Sequence, residues 1–108
     1  MAIKANLVID QGADYSTDVN VTDDFGASVD LTGYSGQAQM RKHYTSVTYY
    51  SFDVNVTSGG VVTLAANSTV TDSIPPGRYV YDCELTSPGG VRSRLIEGIV
   101  TITPQVTR

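Results

Sequence analysis

The most regular alternation of apolar and polar residues in this chain runs from residue 78 to residue 86, directly after Ile74-Pro75-Pro76-Gly77. Every second residue is aromatic or apolar, and the residues that share this face are Tyr79, Tyr81, Cys83 and Leu85. Successive side chains of a strand point to opposite faces, so this pattern predicts a half-buried β-strand. Prolines cannot continue a sheet ladder, and the strand is therefore predicted to begin at Arg78.

The same period of two recurs along most of the chain. It predicts seven strands, at residues 3–9, 15–22, 36–41, 50–56, 61–65, 78–86 and 91–103. Within the last of these, Ile96 has the same parity as Arg92 and Arg94, so a β-bulge near Glu97-Gly98 is expected to reset the facing. Residues 67–73 are rich in cap-forming side chains and predict a single helical turn.

Short strands separated by turn signals, with no amphipathic helix, predict an all-β fold. We expect an immunoglobulin-like antiparallel β-sandwich of about seven strands that occupies residues 1–108 as one domain, with a partly open barrel as the alternative. Tyr81-Asp82-Cys83 has the Tyr-x-Cys spacing of immunoglobulin strand F, in which the tyrosine hydroxyl ties back to the preceding corner. The chain has no tryptophan and a single cysteine, so only the architecture is expected to be shared.

Charge and cysteine content narrow the functional classes. The formal net charge is −4, and the seven Lys and Arg residues are scattered along the chain. Nucleic-acid binding needs a concentrated basic face, so no nucleic-acid partner is expected. Cys83 has no partner for an intramolecular disulfide and is expected to be buried and inert. No long apolar run follows Met1, so neither a signal peptide nor a membrane segment is expected, and synthesis in a cytoplasm is the expectation.

No combination of residues predicts catalysis, a cofactor or a metal site. His43, the one histidine, lies in a polar stretch beside Arg41 and Lys42 and is interpreted as a solvated surface residue, so the chain is not expected to be an enzyme. A cluster of aspartates in the first quarter could bind calcium, but its spacing matches no known loop and aspartate is common in turns. Its members are Asp10, Asp14, Asp18, Asp23 and Asp24.

Two groups of residues are candidates for binding. Tyr44, Tyr49 and Tyr50 surround a predicted loop, where aromatic side chains could contact a carbohydrate or a protein. Val8, Val80 and Ile99 fall on outward faces of predicted strands and are candidate assembly contacts. Sheet edges carry unpaired backbone groups, so the first and last strands are the expected places for a neighbouring chain to dock.

Two segments resemble a known family. Asp30-Leu31-Thr32-Gly33-Tyr34, followed by a strand that ends in Met40-Arg41, and Ile74-Pro75-Pro76-Gly77-Arg78-Tyr79-Val80-Tyr81-Asp82 are similar to small immunoglobulin-like virion proteins of tailed bacteriophages. The similarity is to the N-terminal domain of baseplate upper proteins. It implies a non-enzymatic structural component of the tail, baseplate or capsid surface. Its expected location is the virion, and its expected partners are other virion proteins and further copies of itself. A free-standing carbohydrate- or protein-binding module is the alternative.

Overall fold

The computed structural model describes residues 3–22 and 25–107, and within these residues the chain forms eight strands and one short helix. The strands are β1 (Ile3–Lys4), β2 (Leu7–Asp10), β3 (Tyr15–Asn20), β4 (Ser35–Arg41), β5 (Tyr50–Val56), β6 (Val61–Ala66), β7 (Gly77–Thr86) and β8 (Arg92–Thr103). The helix α1 (Ser68–Asp72) lies between β6 and β7. The prediction of an all-β chain is confirmed.

All eight strands belong to one curled, mixed sheet. Its order is β1-β8-β7-β4-β5-β6-β3, with β2 also paired to β8. The pairs of β1 and β2 with β8 are parallel and all the others are antiparallel. The first residues of β5 pair with β4, as in Ala38↔Phe52, whereas its later residues pair with β6, as in Val54↔Leu64. The sheet therefore changes direction at β5.

One hydrophobic core fills the inside of the curled sheet. Its largest fully buried side chains are Ile9, Met40, Leu64, Ile74, Ile102, Val62, Val100, Thr71 and Cys83. The predicted inward face of β7 is confirmed, because Tyr79, Tyr81, Cys83 and Leu85 are each 6% exposed or less. The cluster joins residues from both ends of the strand order, so the two halves of the sheet share a single apolar interior.

The first predicted strand is divided in two by contacts that lie far away in sequence. β1 and β2 are separated at Ala5 and Asn6, where the Ala5 carbonyl accepts a hydrogen bond of 2.7 Å from the Tyr81 hydroxyl. The Asn6 side chain accepts a second bond of 3.1 Å from the Ile99 amide. A prediction of one continuous strand is therefore wrong at these two residues.

The β-bulge occurs earlier in β8 than predicted. Cys83 pairs with Ile96, whereas Glu84 pairs with Arg94, so Leu95 is the extra residue. Ile96 already faces inward, and the change of facing has to precede it. Gly98 has a different role: a Cβ there would lie 2.1 Å from the Ala5 carbonyl oxygen, so glycine permits the close approach of the first strand.

Of the two strands expected at free edges, the first lies at an edge of the sheet and the last does not. β8 is paired on both sides and is not an edge strand. In the part of the chain that the structure describes, the edges are β1 with β2 at one end of the strand order and β3 at the other.

The predicted helical turn is confirmed as α1. The Asn67 side chain caps it by accepting a bond of 3.0 Å from the Val70 amide. The buried Thr71 hydroxyl donates to the Ala13 carbonyl at 2.8 Å, which ties the helix to the turn between β2 and β3. Within the described ranges, no helix has the length and apolar character needed to cross a membrane.

The tyrosine tie to the corner before β7 is made by a different residue from the one expected. The Tyr79 hydroxyl donates to the Pro75 carbonyl at 2.6 Å, four residues upstream, whereas Tyr81 reaches Ala5. The Tyr-x-Cys spacing therefore identified the wrong tyrosine for this tie.

Candidate binding surfaces

The segment of residues 42–49 between β4 and β5, here called the 42–49 loop, is held in place by Arg41 at its base. The Arg41 guanidinium donates to the Ser46 carbonyl and, at 3.0 Å, to the Gln39 side chain. It also lies 4.8 Å from the centroid of the Tyr49 ring, a cation–π contact. A turn between His43 and Ser46 closes the loop through a backbone bond of 3.0 Å. Arg41 therefore holds the 42–49 loop against the end of β4.

The three candidate tyrosines do not form one surface. Tyr44 is 85% exposed near the tip of the loop, while Tyr49 is half exposed beneath Arg41. Tyr50 is partly buried and packs edge-on against Tyr79, with 6.1 Å between the ring centroids. Tyr44 and Tyr50 line two separate concavities, and Tyr49 supports the loop.

The first concavity lies on the outer face of β4, β7 and β8 and has a volume of ≈ 310 Å³. Its lining residues are Gln39, Arg41, Tyr44, Val80, Tyr81, Asp82, Glu84, Arg94 and Glu97. Arg94 bridges Asp82 at 3.4 Å and Glu97 at 2.8 Å. Partial burial raises the pKa of the Asp82 carboxyl, and the nearby Arg94 charge opposes that shift. This concavity, here called the polar recess, therefore has a mostly polar lining with one exposed aromatic side chain, that of Tyr44.

The second concavity, here called the apolar groove, has a volume of ≈ 510 Å³ and a mostly apolar lining. Its lining residues are Lys42, Ser46, Val47, Thr48, Tyr50, Pro75, Pro76 and Tyr79. The Lys42 ammonium lies 5.0 Å from the centroid of the Tyr79 ring. Gly77, at the edge of this concavity, has a φ of +140°, a backbone conformation that residues with a side chain rarely adopt.

The three apolar residues proposed as assembly contacts lie on the outer face of neighbouring strands. Val80 on β7 is directly opposite Ile99 on β8, and Val8 on β2 is opposite Thr101, two residues further along β8. Val8 is 62% and Ile99 39% exposed. The register therefore places the three side chains on one outward surface, here called the outer apolar stripe.

The acidic cluster is used largely for internal hydrogen bonds. Asp10 accepts from the Thr103 hydroxyl, Asp14 from the Ser68 amide and Asp18 from the Thr63 hydroxyl, at 2.6–2.8 Å. Asp23 and Asp24, the other members of the calcium candidate, lie outside the described residues. In the two described ranges, no group of three or more His, Cys, Asp or Glu side chains could hold a metal ion.

Reasoning from sequence missed both concavities. The Arg94 bridges could have been anticipated from the outward parity of Asp82 and the spacing of Arg94 and Glu97, but the pairing of β7 with β8 had to be known. The apolar groove brings Lys42 and Val47 next to Pro75 and Pro76, and no local pattern indicates that contact.

Comparison with known proteins gives no assignment. The chain matches no protein family, and no curated protein matches it.

Proposed function

We propose that this chain is a non-enzymatic structural module of a tailed-phage virion, located in the tail, baseplate or capsid surface and acting through protein–protein contacts. The observation that carries the proposal is the outer apolar stripe of Val8, Val80 and Ile99. Val8 and Ile99 are exposed and Val80 is partly buried between its neighbours. Apolar side chains that cluster on an outer sheet face are typical of interaction surfaces, whereas single scattered ones are not.

The two segments that carry the family resemblance are framework segments here. Asp30 accepts bonds from the Thr32 amide at 3.0 Å and the Thr32 hydroxyl at 2.6 Å, while Leu31 is buried, which fixes the entry into β4. The second segment begins with the fully buried Ile74 and contains the tie from Tyr79 to Pro75. Both segments fix the backbone where a strand begins and contribute no reactive group, in keeping with a structural role.

The immunoglobulin-like sandwich is the finer fold that we propose for this frame. The division of β5 between two neighbours turns one sheet into two facing halves, which share one core. A tyrosine hydroxyl that bonds to the backbone a few residues upstream, at the start of the strand, is the tyrosine corner of immunoglobulin strand F. Tyr79 and Pro75 have this arrangement.

Cross-linking mass spectrometry on purified particles tests the structural role. The expected result is cross-links from this chain to itself or to tail or capsid proteins. The paired change Val80→Thr with Ile99→Thr keeps β-branched side chains in the strands but removes apolar surface, so it should reduce incorporation into particles. Asn55→Thr, on an exposed position of β5, is the matched control and should be incorporated normally. Equal incorporation of both variants would show that the outer apolar stripe is not an assembly contact.

A free-standing carbohydrate- or protein-binding module is the second candidate. It is favoured by the exposed Tyr44 beside the polar recess and by the exposed Val47 beside the apolar groove. A glycan array probed with purified protein, together with a Tyr44→Ala variant, distinguishes the two functions. Specific glycan binding that is lost with Tyr44 would favour the binding module.

A further inference from the structure

Within residues 3–22 and 25–107, the edge of the sheet at β3 presents backbone groups that pair with no other strand. In the described chain β3 pairs only with β6, through contacts that include Val19↔Val62. The Val21 amide donates to the Gly60 carbonyl at 2.7 Å in the same register, so the odd-numbered residues direct their backbone groups at β6. Alternate residues of a strand point these groups in opposite directions. Ser16, Asp18 and Asn20 therefore point their N–H and C=O groups to the open edge.

This edge has few of the features that usually prevent strands from pairing, and Asp18 is the one charged residue within β3. β3 is six residues long and regular, and it contains no proline and no lysine. The opposite edge is different, since β1 and β2 are short and are separated at Ala5 and Asn6. β3 is thus the edge that can accept another strand.

We propose that β3 pairs in an antiparallel manner with β3 of a second copy of this chain, around a two-fold axis at Thr17. The outward groups belong to even-numbered residues, so an even residue has to face an even residue. Centring the pair on Thr17 or on Asp18 overlaps five residues of each strand, whereas centring on Val19 overlaps only three. A centre at Asp18 would place two carboxylates directly opposite each other, which is destabilising. Thr17 is therefore the favoured centre.

The side chains match in this register. Tyr15 faces Val19 of the second copy and Thr17 faces Thr17, which are the aromatic–β-branched and Thr–Thr pairs that stabilise antiparallel strands. On the other face, Asp18 of one copy lies opposite Ser16 of the other, and the Ser16 hydroxyl can donate a hydrogen bond to the Asp18 carboxylate. Tyr15 and Thr17 are only half-buried in the single chain, so pairing covers them further.

The contact is small. Stable interfaces bury at least about 1,200 Å², and one pair of short strands buries less, so association in dilute solution should be weak. This inference deepens the proposed function by naming one contact between copies. It is tested on purified protein, so its failure leaves the presence of the chain in particles unaffected, and the reverse also holds.

Cysteine cross-linking of concentrated, purified protein tests the register. Residues of an antiparallel non-hydrogen-bonded pair have Cα atoms about 4.5 Å apart, which suits a disulfide. Thr17→Cys should therefore form a disulfide-linked dimer on mild oxidation. Asp18→Cys, offset from its own copy, and Ser51→Cys, on the exposed face of β5, should not. Cys83 is fully buried and does not interfere.

A proline variant separates edge pairing from chance collision. The Asp18 amide points away from β6, so Asp18→Pro removes an outward donor and leaves the β6 ladder intact. Combined with Thr17→Cys it should abolish the disulfide-linked dimer, whereas Asp18→Asn should retain it. Cross-linking through Asp18→Cys would overturn the register, and cross-linking through neither residue would overturn the pairing. If Asp18→Pro does not fold, the comparison of Thr17→Cys with Asp18→Cys still decides.

Discussion

Tyr81 joins the centre of the core to the first strand. It is 4% exposed, packs 6.2 Å from Phe52 between ring centroids and donates to the Ala5 carbonyl at 2.7 Å. Tyr81→Phe keeps the ring and removes this bond, so we expect the free energy of unfolding to fall by about 1 kcal/mol. Tyr81→Ala also removes the ring and should lower it by about 3–5 kcal/mol. Urea denaturation measures both.

Tyr44→Phe is the matched control, because Tyr44 is 85% exposed and its hydroxyl lies in the solvated loop. Its free energy of unfolding should equal that of the wild type. An unchanged stability in Tyr81→Phe would contradict the assignment of the Ala5 bond.

Cys83 makes the stability depend on alkaline pH. It is fully buried, and burial, followed by the charges of Asp82 and Glu84, raises the pKa of its thiol from 9.0 to about 11. Burial likewise raises the pKa of Tyr81 from 10.0 to about 12. Between pH 9 and 12 the unfolded chain releases these protons before the folded chain does. Stability should therefore fall as pH rises through this range and be independent of these groups below about pH 9.

Thiol labelling checks the same burial at lower pH. Thiol reagents react with the thiolate, and Cys83 is fully buried and protonated in the folded protein at pH 8. A thiol reagent should therefore label Cys83 only as fast as the protein unfolds. Rapid labelling of the native protein would show that the inward facing of β7 is wrong.

At the scale of the elements, Gly98 determines whether the first strand can lie against β8. A Cβ at this position would lie 2.1 Å from the Ala5 carbonyl oxygen, and backbone cannot move aside as a flexible side chain can. Gly98→Ala should displace β1 and lower the free energy of unfolding by about 1–3 kcal/mol. Hydrogen exchange at the Ala5 amide, which donates to Glu97, should become faster.

Gly89→Ala is the matched control for this change. The nearest atom to its Cβ is 3.9 Å away, so the substitution adds a methyl group without a clash. Equal losses in the two variants would contradict the close approach at Gly98.

The elements that sequence predicts well are those determined by neighbouring residues. The period of two predicts which residues of β7 face inward, and the cap-forming residues after β6 predict the helical turn α1. The separation of β1 from β2 depends on Tyr81 and Ile99, which lie more than 70 residues away, so no local pattern indicates it. The change of phase along the last strand predicts a bulge near Glu97-Gly98, but the glycine there makes room for Ala5 and the bulge is at Leu95.

The candidate site was predicted less completely than the fold. The loop and its exposed Tyr44 follow from a polar stretch between two strands. The division of the three tyrosines between two concavities depends on Arg41 stacking on Tyr49 and on Tyr79 packing against Tyr50. Those contacts arise from the curl of the sheet, which local alternation of residues does not specify.

At the scale of the whole molecule, two surfaces are available for the proposed contacts with other chains. The outer apolar stripe exposes Val8 and Ile99, and the β3 edge leaves backbone groups without partners in the described chain. They involve different parts of the curled sheet, so in the proposed virion role one would contact a different protein while the other contacts a second copy. A module that contributes to an assembly through two contacts is expected in many copies per particle.

The copy number of this chain in purified particles tests the central claim most directly. Particles separated on a density gradient and analysed by quantitative mass spectrometry should contain the chain at a constant number of copies across the particle peak. That number should be a multiple set by the symmetry of the tail or capsid. A chain that is absent from the particle peak, and found free and monomeric in infected cells, would contradict the structural role.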